Sequence, residues 1–337
     1  MAFAEYSEHD GLGLSELVRR GEVSAAELTE AAIERIERHP ELNAVVHKAY
    51  DTARATAAGE VPHGPFRGVP FLIKDLGLEV EGMPCTSGSR FAPSEPDTRD
   101  SELVRRYRAT GMVMLGRTNT PEFGIPGVTN SDRLGFCRNP WNTDHISGGS
   151  SGGAAAAVAA GIVPVAHASD GLGSIRIPAA CCGLVGLKPT RDRNPNGPED
   201  HDRTIGLAVD HVVSRTVRDS AAMLDATGYP EVGAPYAPPP KSGPYLAEVG
   251  AHPGRLRIAW STASPRGAPI DPEVQAAVER TAELLTQLGH EVIPFEPQVD
   301  WRQLYRAQAL MSASNFSAMI KRRVDALGRE PGDDELG

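Results

Sequence analysis

Residues 148–182 read GGSSGGAAAAVAAGIVPVAHASDGLGSIRIPAACC, and both fold and chemistry turn on how this stretch divides. The alanine-rich run 152–160 is a strong helix former, and Gly161 is placed to stop it. Residues 162–168 then read as a short buried strand, followed by the turn-prone Asp170-Gly171-Leu172-Gly173. A helix of about nine residues runs ~14 Å outward. A strand of about six runs ~20 Å back. The two lengths nearly cancel, which brings Ser150 and Ser174 towards one end of a sheet. That end carries a helix N-terminus and a strand C-terminus, where open α/β sheets keep their chemistry.

Working outward, residues 67–77 (RGVPFLIKDLG) give a continuous apolar strand, 69–73, with Lys74 at its C-terminal end. Lysine is rarely buried unless paired or chemically employed, so Lys74 is either an ion-paired residue or a working one. Residues 101–110 form a helix capped by Asp100, and 112–115 the next strand. The polar, Gly/Pro/Asn-rich loop 116–142 is long enough to line a site. Towards the N-terminus, helices 14–20 and 25–38 pack on the core, the second opened by a Ser24/Glu27 capping box. Beyond the central stretch come a strand at 183–189, a loop at 190–210 and a helix opened by a Thr216/Asp219 box and ended near Gly228. Residues 255–295 form a strand–helix–strand unit with Asp271 as cap and Pro272 at the first helical position. Residues 301–327 are helical, and 330–337 are a polar tail without regular structure. The expected organisation is a helical N-terminal region (1–60), a catalytic core (61–230), a Pro/Gly-rich linker (231–254) and a βα continuation of the sheet (255–337).

The bulk numbers bound the function. A chain of 337 residues buries a large core, and 40% hydrophobic with 23% charged residues is ordinary soluble composition. A net charge of −10 argues against nucleic acid as partner. Cys85, Cys137, Cys181 and Cys182 lack metal-like spacing and read as reduced thiols of a cytoplasmic protein. The acidic start MAFAEYSEHD lacks the order of a signal peptide. The longest apolar run, 154–168, is broken by Gly161 and Pro164, so no membrane span is expected.

Three chemistries compete for the glycine-rich serines. A phosphate loop requires a Gly-Lys-Ser/Thr ending after a strand, which is missing here. Residues 149–153 match the G-x-S-x-G elbow of a Ser-His-Asp hydrolase with Ser151 as nucleophile, but that elbow needs a strand directly before it, and residues 139–147 are not strand-like. The third chemistry uses a lysine base. An amine with a reference pKa of about 10.4 must be desolvated to lose its proton, and the apolar strand before Lys74 offers such a setting. Asp75 would oppose this unless it points to the other face, as strand alternation predicts.

Lys74, the GGSSGG loop and a second serine in D-x-x-G-S-I-R-x-P, flanked by RNPWN and GLVGLKPT, together resemble the amidase signature family of Ser-Ser-Lys hydrolases. The resemblance implies an α/β/α fold with a mixed, twisted central sheet flanked by helices. It implies Ser174 as acyl-forming nucleophile, Ser150 as proton relay after a cis Gly149–Ser150 bond, and Lys74 as terminal base. Backbone N–H groups of Gly171, Leu172 and Gly173 would form the oxyanion hole, with Gly124 at a substrate-contacting position and no metal or cofactor. Members usually read D-T-G-G-S, so Leu172 stands where a glycine is common and is strained if the position needs a positive φ. Asp170 and Arg176 are expected to hold the turn as an ion pair. Cys181 and Cys182 read as core thiols, and His145 and His167 as neighbours of the site. The stretch 206–220 resembles members acting on aminohexanoate oligomers, aryl amides or carbamates more than the tRNA-amidotransferase subunit. A small-molecule amide is thus the expected partner, with carbamate or ester as further substrates and a homodimer as the assembly. A glutamine-amidase subunit and an inactive scaffold are the rival readings. Family members are usually longer, so a missing C-terminal part is also implied.

Overall fold

A computed structural model describes residues 3–93, 95–197, 206–264 and 267–336. The chain divides into two compact units, one of Met1–Val249 with Met319–Gly337, the other Gly250–Ala318.

The strands are β1 (Val45–Lys48), β2 (Pro70–Lys74), β3 (Val113–Thr118), the short pair β4 (Arg138–Asn139) and β5 (Asn142–Ile146), β6 (Val165–Asp170), β7 (Val185–Gly186), β8 (Val209–Ser214), β9 (Arg257–Trp260) and β10 (Glu291–Pro294). The central sheet of the first unit has the order β1-β3-β2-β6-β8-β7. Its middle strands β3, β2 and β6 are parallel, while β1, β8 and β7 pair antiparallel at the sides. β2, β3, β6 and β8 are buried along their whole length, as strands covered on both faces must be. Because the middle strands share a direction, Thr118, Lys74 and Asp170 end at one edge. The predicted mixed α/β architecture is therefore the observed one.

The helices are α1 (Gly11–Arg20), α2 (Ala25–Arg38), α3 (Tyr50–Ala58), α4 (Glu102–Ala109), α5 (Gly152–Ala159), α6 (Arg176–Cys182), α7 (Val217–Thr227), α8 (Tyr245–Glu248), α9 (Pro272–Gln287) and α10 (Trp301–Leu327). α5 packs against β2, β3, β6 and β8. It is almost entirely alanine and glycine and is buried from Gly152 to Val158, the pattern of a helix covered all round. Small residues let it approach closely. A Cβ on Gly153 would lie 2.3 Å from the Asn119 nitrogen and 2.7 Å from the Ala44 oxygen, both backbone atoms with little freedom to yield.

Several expectations need correction, mostly where a distant residue takes over a local role. Asp100 does not cap α4, whose N-cap is Ser101; its carboxylate instead pairs with Arg108 and accepts from the Glu81 N–H. The Thr216/Asp219 box is half formed. Thr216 accepts from the Asp219 N–H, but the Asp219 carboxylate accepts from the Gly11 and Leu12 N–H groups at 2.8 and 3.0 Å. That starts α1 three residues before the expected helix. The Ser24/Glu27 box is complete. The strand expected at 162–168 runs over β6, displaced towards the site, and the one expected at 183–189 shrinks to β7. Of the expected loop 190–210, residues 198–205 lie outside those described, and 209–210 begin β8. The 231–254 linker contains α8, held by Asp225, which accepts from the Tyr245 and Leu246 N–H groups at 2.9 and 2.8 Å.

The second unit, Gly250–Ala318, carries the expected strand–helix–strand segment. β9 and β10 pair with each other, in parallel, as a separate two-stranded sheet joined by α9. Asp271 caps α9 and Pro272 opens it, as read from the sequence. The tail is also more ordered than expected. Arg329 pairs with Glu335 at 2.6 Å, and the Glu335 carbonyl accepts from the Phe91 N–H at 3.3 Å.

Two outcomes follow from this packing. Gly153→Ala drives a methyl into backbone and lowers the unfolding free energy by about 1–3 kcal/mol; denaturant unfolding that matches wild type would refute the close approach. His211 is buried, and burial first, then the neighbouring His167, pushes its imidazole down to about 3. An unfolded histidine titrates near ~6.5, so neutral His211 contributes stability that is full above that pH and lost as pH falls towards 3. The stability advantage of wild type over His211→Gln therefore shrinks by up to ~1.4 kcal/mol per unit of pH between 6.5 and 4; a gap that is constant or widens in acid contradicts the assignment.

Candidate active site

Lys74 is the last residue of β2 and is fully buried. Its Nζ lies 2.8 Å from Ser150 Oγ and 3.0 Å from Ser169 Oγ. Asp75 turns elsewhere, as alternation predicted: one carboxylate oxygen accepts from the Thr86 N–H at 2.8 Å and the other from the Thr86 hydroxyl. Behind Lys74, His167 Nδ1 accepts from the Lys74 backbone N–H at 3.3 Å, and its Nε2 faces Asp210 Oδ1 at 2.9 Å.

Ser150 reaches the amine because the glycines of the loop before α5 pack tightly against neighbouring backbone and side chains. The Gly149–Ser150 bond is cis. A Cβ on Gly149 would lie 2.7 Å from Val128 N, and one on Gly152 would lie 2.3 Å from Thr129 Oγ1. Thr120 donates to the Ser150 carbonyl at 3.1 Å. The Gly124 main chain stands against Ser150: a Cβ there would lie 3.2 Å from Ser150 Oγ. Ser151, the alternative nucleophile, does not fit. It is fully buried, and its Oγ donates to the Ser169 carbonyl at 3.2 Å and accepts from the Ser169 N–H at 3.3 Å. The stretch 139–147, expected not to be strand-like, holds β5, because it folds back on β4 as a short antiparallel pair. β5 nevertheless ends at Ile146, and residues 147–150 separate it from Ser151, so no strand leads directly into the elbow.

Ser174 sits in the turn between β6 and α6 and is partly exposed. Its hydroxyl has no hydrogen-bond partner among the described residues. Asp170 organises the turn: it accepts from the Gly173 N–H at 2.7 Å and the Ile175 N–H at 3.2 Å, and pairs with Arg176 through two 2.9 Å contacts. Burial works against the Asp170 charge, but Arg176 and the backbone donors outweigh it and hold the carboxyl below its ordinary range. The expected ion pair is present. The strain expected at Leu172 is not. Gly173 carries the positive φ of +129°, and the non-glycine residues with positive φ are Asn43, Ser87, Phe123 and Asp192 among those described. Leu172 is 58% exposed. The Gly173 N–H is occupied by Asp170, which leaves the N–H groups of Gly171, Leu172 and Ser174 without a protein acceptor in the turn.

One of the flanking motifs acquires a mechanical meaning. In RNPWN, Asn139 Nδ2 donates to the Cys181 carbonyl and Trp141 Nε1 to the Cys182 carbonyl, both at 2.8 Å. These are orphan acceptors of the α6 C-terminus, so the hairpin fastens the far end of the helix that follows Ser174. Cys182 is a buried thiol pushed up to about 12 by burial, and Cys181 is half-buried. His145 is exposed, and only His167 of the two histidines touches Lys74. The sequence reading missed Ser169 and the His167–Asp210 pair. The available signal was the pair of polar residues, His167 and Ser169, punctuating an otherwise apolar strand.

Among the described residues no His/Cys/Asp/Glu group is arranged to hold a metal, and no helix is long and apolar enough to cross a membrane.

Known proteins of the same arrangement are plentiful. The family model for amidases matches residues 27–334. The chain is 40% identical over 335 residues to the 6-aminohexanoate-cyclic-dimer hydrolase of Paenarthrobacter ureafaciens, covering 97% of this chain and 67% of that protein. It is 43% identical over 292 residues to a putative amidase, AmiC, of Mycobacterium tuberculosis, covering 84% of this chain and 59% of that protein. A solved 6-aminohexanoate cyclic dimer hydrolase complexed with substrate superposes with a TM-score of 0.93 at 39% identity, over 98% of this chain and 70% of that one. A bacterial aryl acylamidase of the amidase signature family superposes with a TM-score of 0.88 at 31% identity, over 97% of this chain and 69% of that one. The chain thus spans about two thirds of the length of these relatives or somewhat less. With the fold, the buried Lys74–Ser150 pair and these likenesses in agreement, the chain belongs to the amidase signature family, hydrolases of carbon–nitrogen amide bonds.

Proposed function

We propose that the chain hydrolyses small-molecule carboxylic amides through an acyl-Ser174 intermediate, with Ser150 as proton relay and Lys74 as base. The observation that carries this reading is the 2.8 Å contact between Lys74 Nζ and Ser150 Oγ inside the fold. A lysine acts as a base only when neutral, and full burial disfavours the ammonium form. The amine takes the Ser150 proton as Ser150 takes the Ser174 proton, and Ser174 Oγ bonds to the amide carbon. The carbonyl electrons move onto oxygen, which the N–H groups of Gly171, Leu172 and Ser174 are placed to stabilise, Gly173 being committed to Asp170. Collapse breaks the C–N bond, and the amine departs with the proton returned through Ser150. Water then repeats the sequence on the ester, releasing the acid and free Ser174.

Three exposed apolar residues support an apolar substrate. Leu172 precedes Gly173 in the Ser174 turn, Ile125 follows Gly124, and Ile177 packs within 2.8 Å of a Cβ built on Gly173. The 6-aminohexanoate cyclic dimer, for which one solved relative is named, and the aryl acyl amides implied by the name of the aryl acylamidase have this character. Esters, whose alkoxide leaves more readily than an amine, and carbamates undergo the same acyl transfer.

Fluorophosphonate treatment followed by intact-mass and peptide mass spectrometry should place one adduct on Ser174. Ser174→Ala should lose it, and Lys74→Ala or Ser150→Ala should slow its formation by about 10²–10⁴-fold. Labelling of Ser151, or undiminished labelling of Lys74→Ala, would overturn the roles. A panel of aminohexanoate, aryl and short aliphatic amides then tests the substrate class, with turnover confined to the short polar members as the refuting result.

A further inference from the structure

Two residues other than glycine adopt left-handed backbone near the site, Ser87 at φ +56° and Phe123 at φ +50°. Side chains disfavour this region, and such outliers persist where surroundings impose them, often at functional sites. The two are bonded to each other, the Phe123 N–H donating to the Ser87 carbonyl at 2.7 Å. One cation joins them. Arg323, near the end of α10, places its guanidinium 5.1 Å from the centre of the Phe123 ring. Through the same group it donates to the Ser87 hydroxyl at 3.3 Å and to the Phe91 carbonyl at 2.7 Å. Burial, the largest influence on it, pulls this guanidinium below its ordinary range.

What lies beyond the two outliers is the serine relay. Gly124, with φ +69°, follows Phe123 and walls Ser150, a Cβ on it falling 3.2 Å from Ser150 Oγ and 2.5 Å from Leu76 Cδ2. Next to Ser87, a Cβ on Gly88 would lie 2.7 Å from the Thr120 carbonyl, and Thr120 donates to the Ser150 carbonyl. Both paths from Arg323 therefore end on Ser150, one through Phe123 and Gly124, the other through Ser87, Gly88 and Thr120.

We propose that Arg323 is a positioning residue for the amidase reaction, clamping the Ser87 and Phe123 turns so that Gly124 and Thr120 hold Ser150 against Lys74. This rests on the reading of Ser150 as the relay. Arg323 touches no reacting atom. Its loss changes how fast Ser174 reacts at saturating reagent, whether an acyl donor or a fluorophosphonate that loses fluoride to it, not how tightly the reagent binds. Lysine replaces the charge but not the planar, several-armed grip, so it substitutes only in part.

The test measures saturation kinetics of fluorophosphonate labelling of Ser174 in wild type, Arg323→Met, Arg323→Lys and Arg323→Ala, with circular dichroism recording the folded fraction. Arg323→Met is expected to lower the limiting rate at least ten-fold with half-saturation unchanged within three-fold, and Arg323→Lys is expected to fall between. Millimolar guanidinium should restore part of the Arg323→Ala rate where equal sodium chloride does not. A wild-type limiting rate in Arg323→Met overturns the proposal, as does a loss that tracks unfolding with no guanidinium rescue. Should Arg323→Met fail to fold, Arg323→Lys is read alone, and a wild-type rate there overturns the proposal equally. Absence of labelling in wild type instead overturns the underlying reading of the site, and this proposal with it.

Discussion

An amine buried at the end of a strand is the constraint around which the first unit is arranged. Lys74 is removed from water entirely, and a buried polar group is tolerated only with partners. Two of those partners are hydroxyls from distant parts of the chain: Ser150 from the loop before α5 and Ser169 from β6. Their meeting depends on strand register. β2 and β6 pair in parallel, with Leu72 opposite Ala166, and a slip of one residue would turn every β2 side chain to the other face.

The polar groups around the amine are organised in layers. Nearest are the two hydroxyls. Behind the backbone stand His167 and Asp210, and beside them Ser151 is spent on Ser169. Ser174 lies outside this tight set, on a turn held by the Asp170–Arg176 pair and by a helix whose far end is fastened by Asn139 and Trp141. Such a division suits acyl transfer. Lys74 is sequestered from water, and Ser174 stays partly exposed on a rigid support.

Glycine serves different physical ends in this site. In GGSSGG it is required chiefly for space, since Gly149, Gly152 and Gly153 lie against other residues at distances no side chain tolerates. In the D-G-L-G-S turn it is required at one place, Gly173, for a positive φ. That distinction explains why Leu172 is accommodated without strain where related sequences often carry glycine: the left-handed demand falls on the next residue.

Much of the site was legible from the residues alone. The Ala-rich helix, the apolar strand ending in Lys74, the two glycine-flanked serines and the Asp170–Arg176 pair follow from local pattern, because periodicity and turn chemistry act over a few residues. Helix starts were less legible: α1 begins where it does because Asp219, far along the chain, accepts its first N–H groups, and Asp100 is diverted from capping to Arg108. Ser169, His167 and Arg323 were likewise silent, since their partners are fixed by strand pairing and by the return of α10, and no spacing in the sequence encodes them. The separate pairing of β9 with β10 belongs to the same class. Local residue pattern set which side chains could do the chemistry and the elements that carry them. Which hydroxyls meet the amine, which N–H groups remain available and which distant cation braces the loop were decided by tertiary structure, because each depends on contacts between segments that only the sheet brings together.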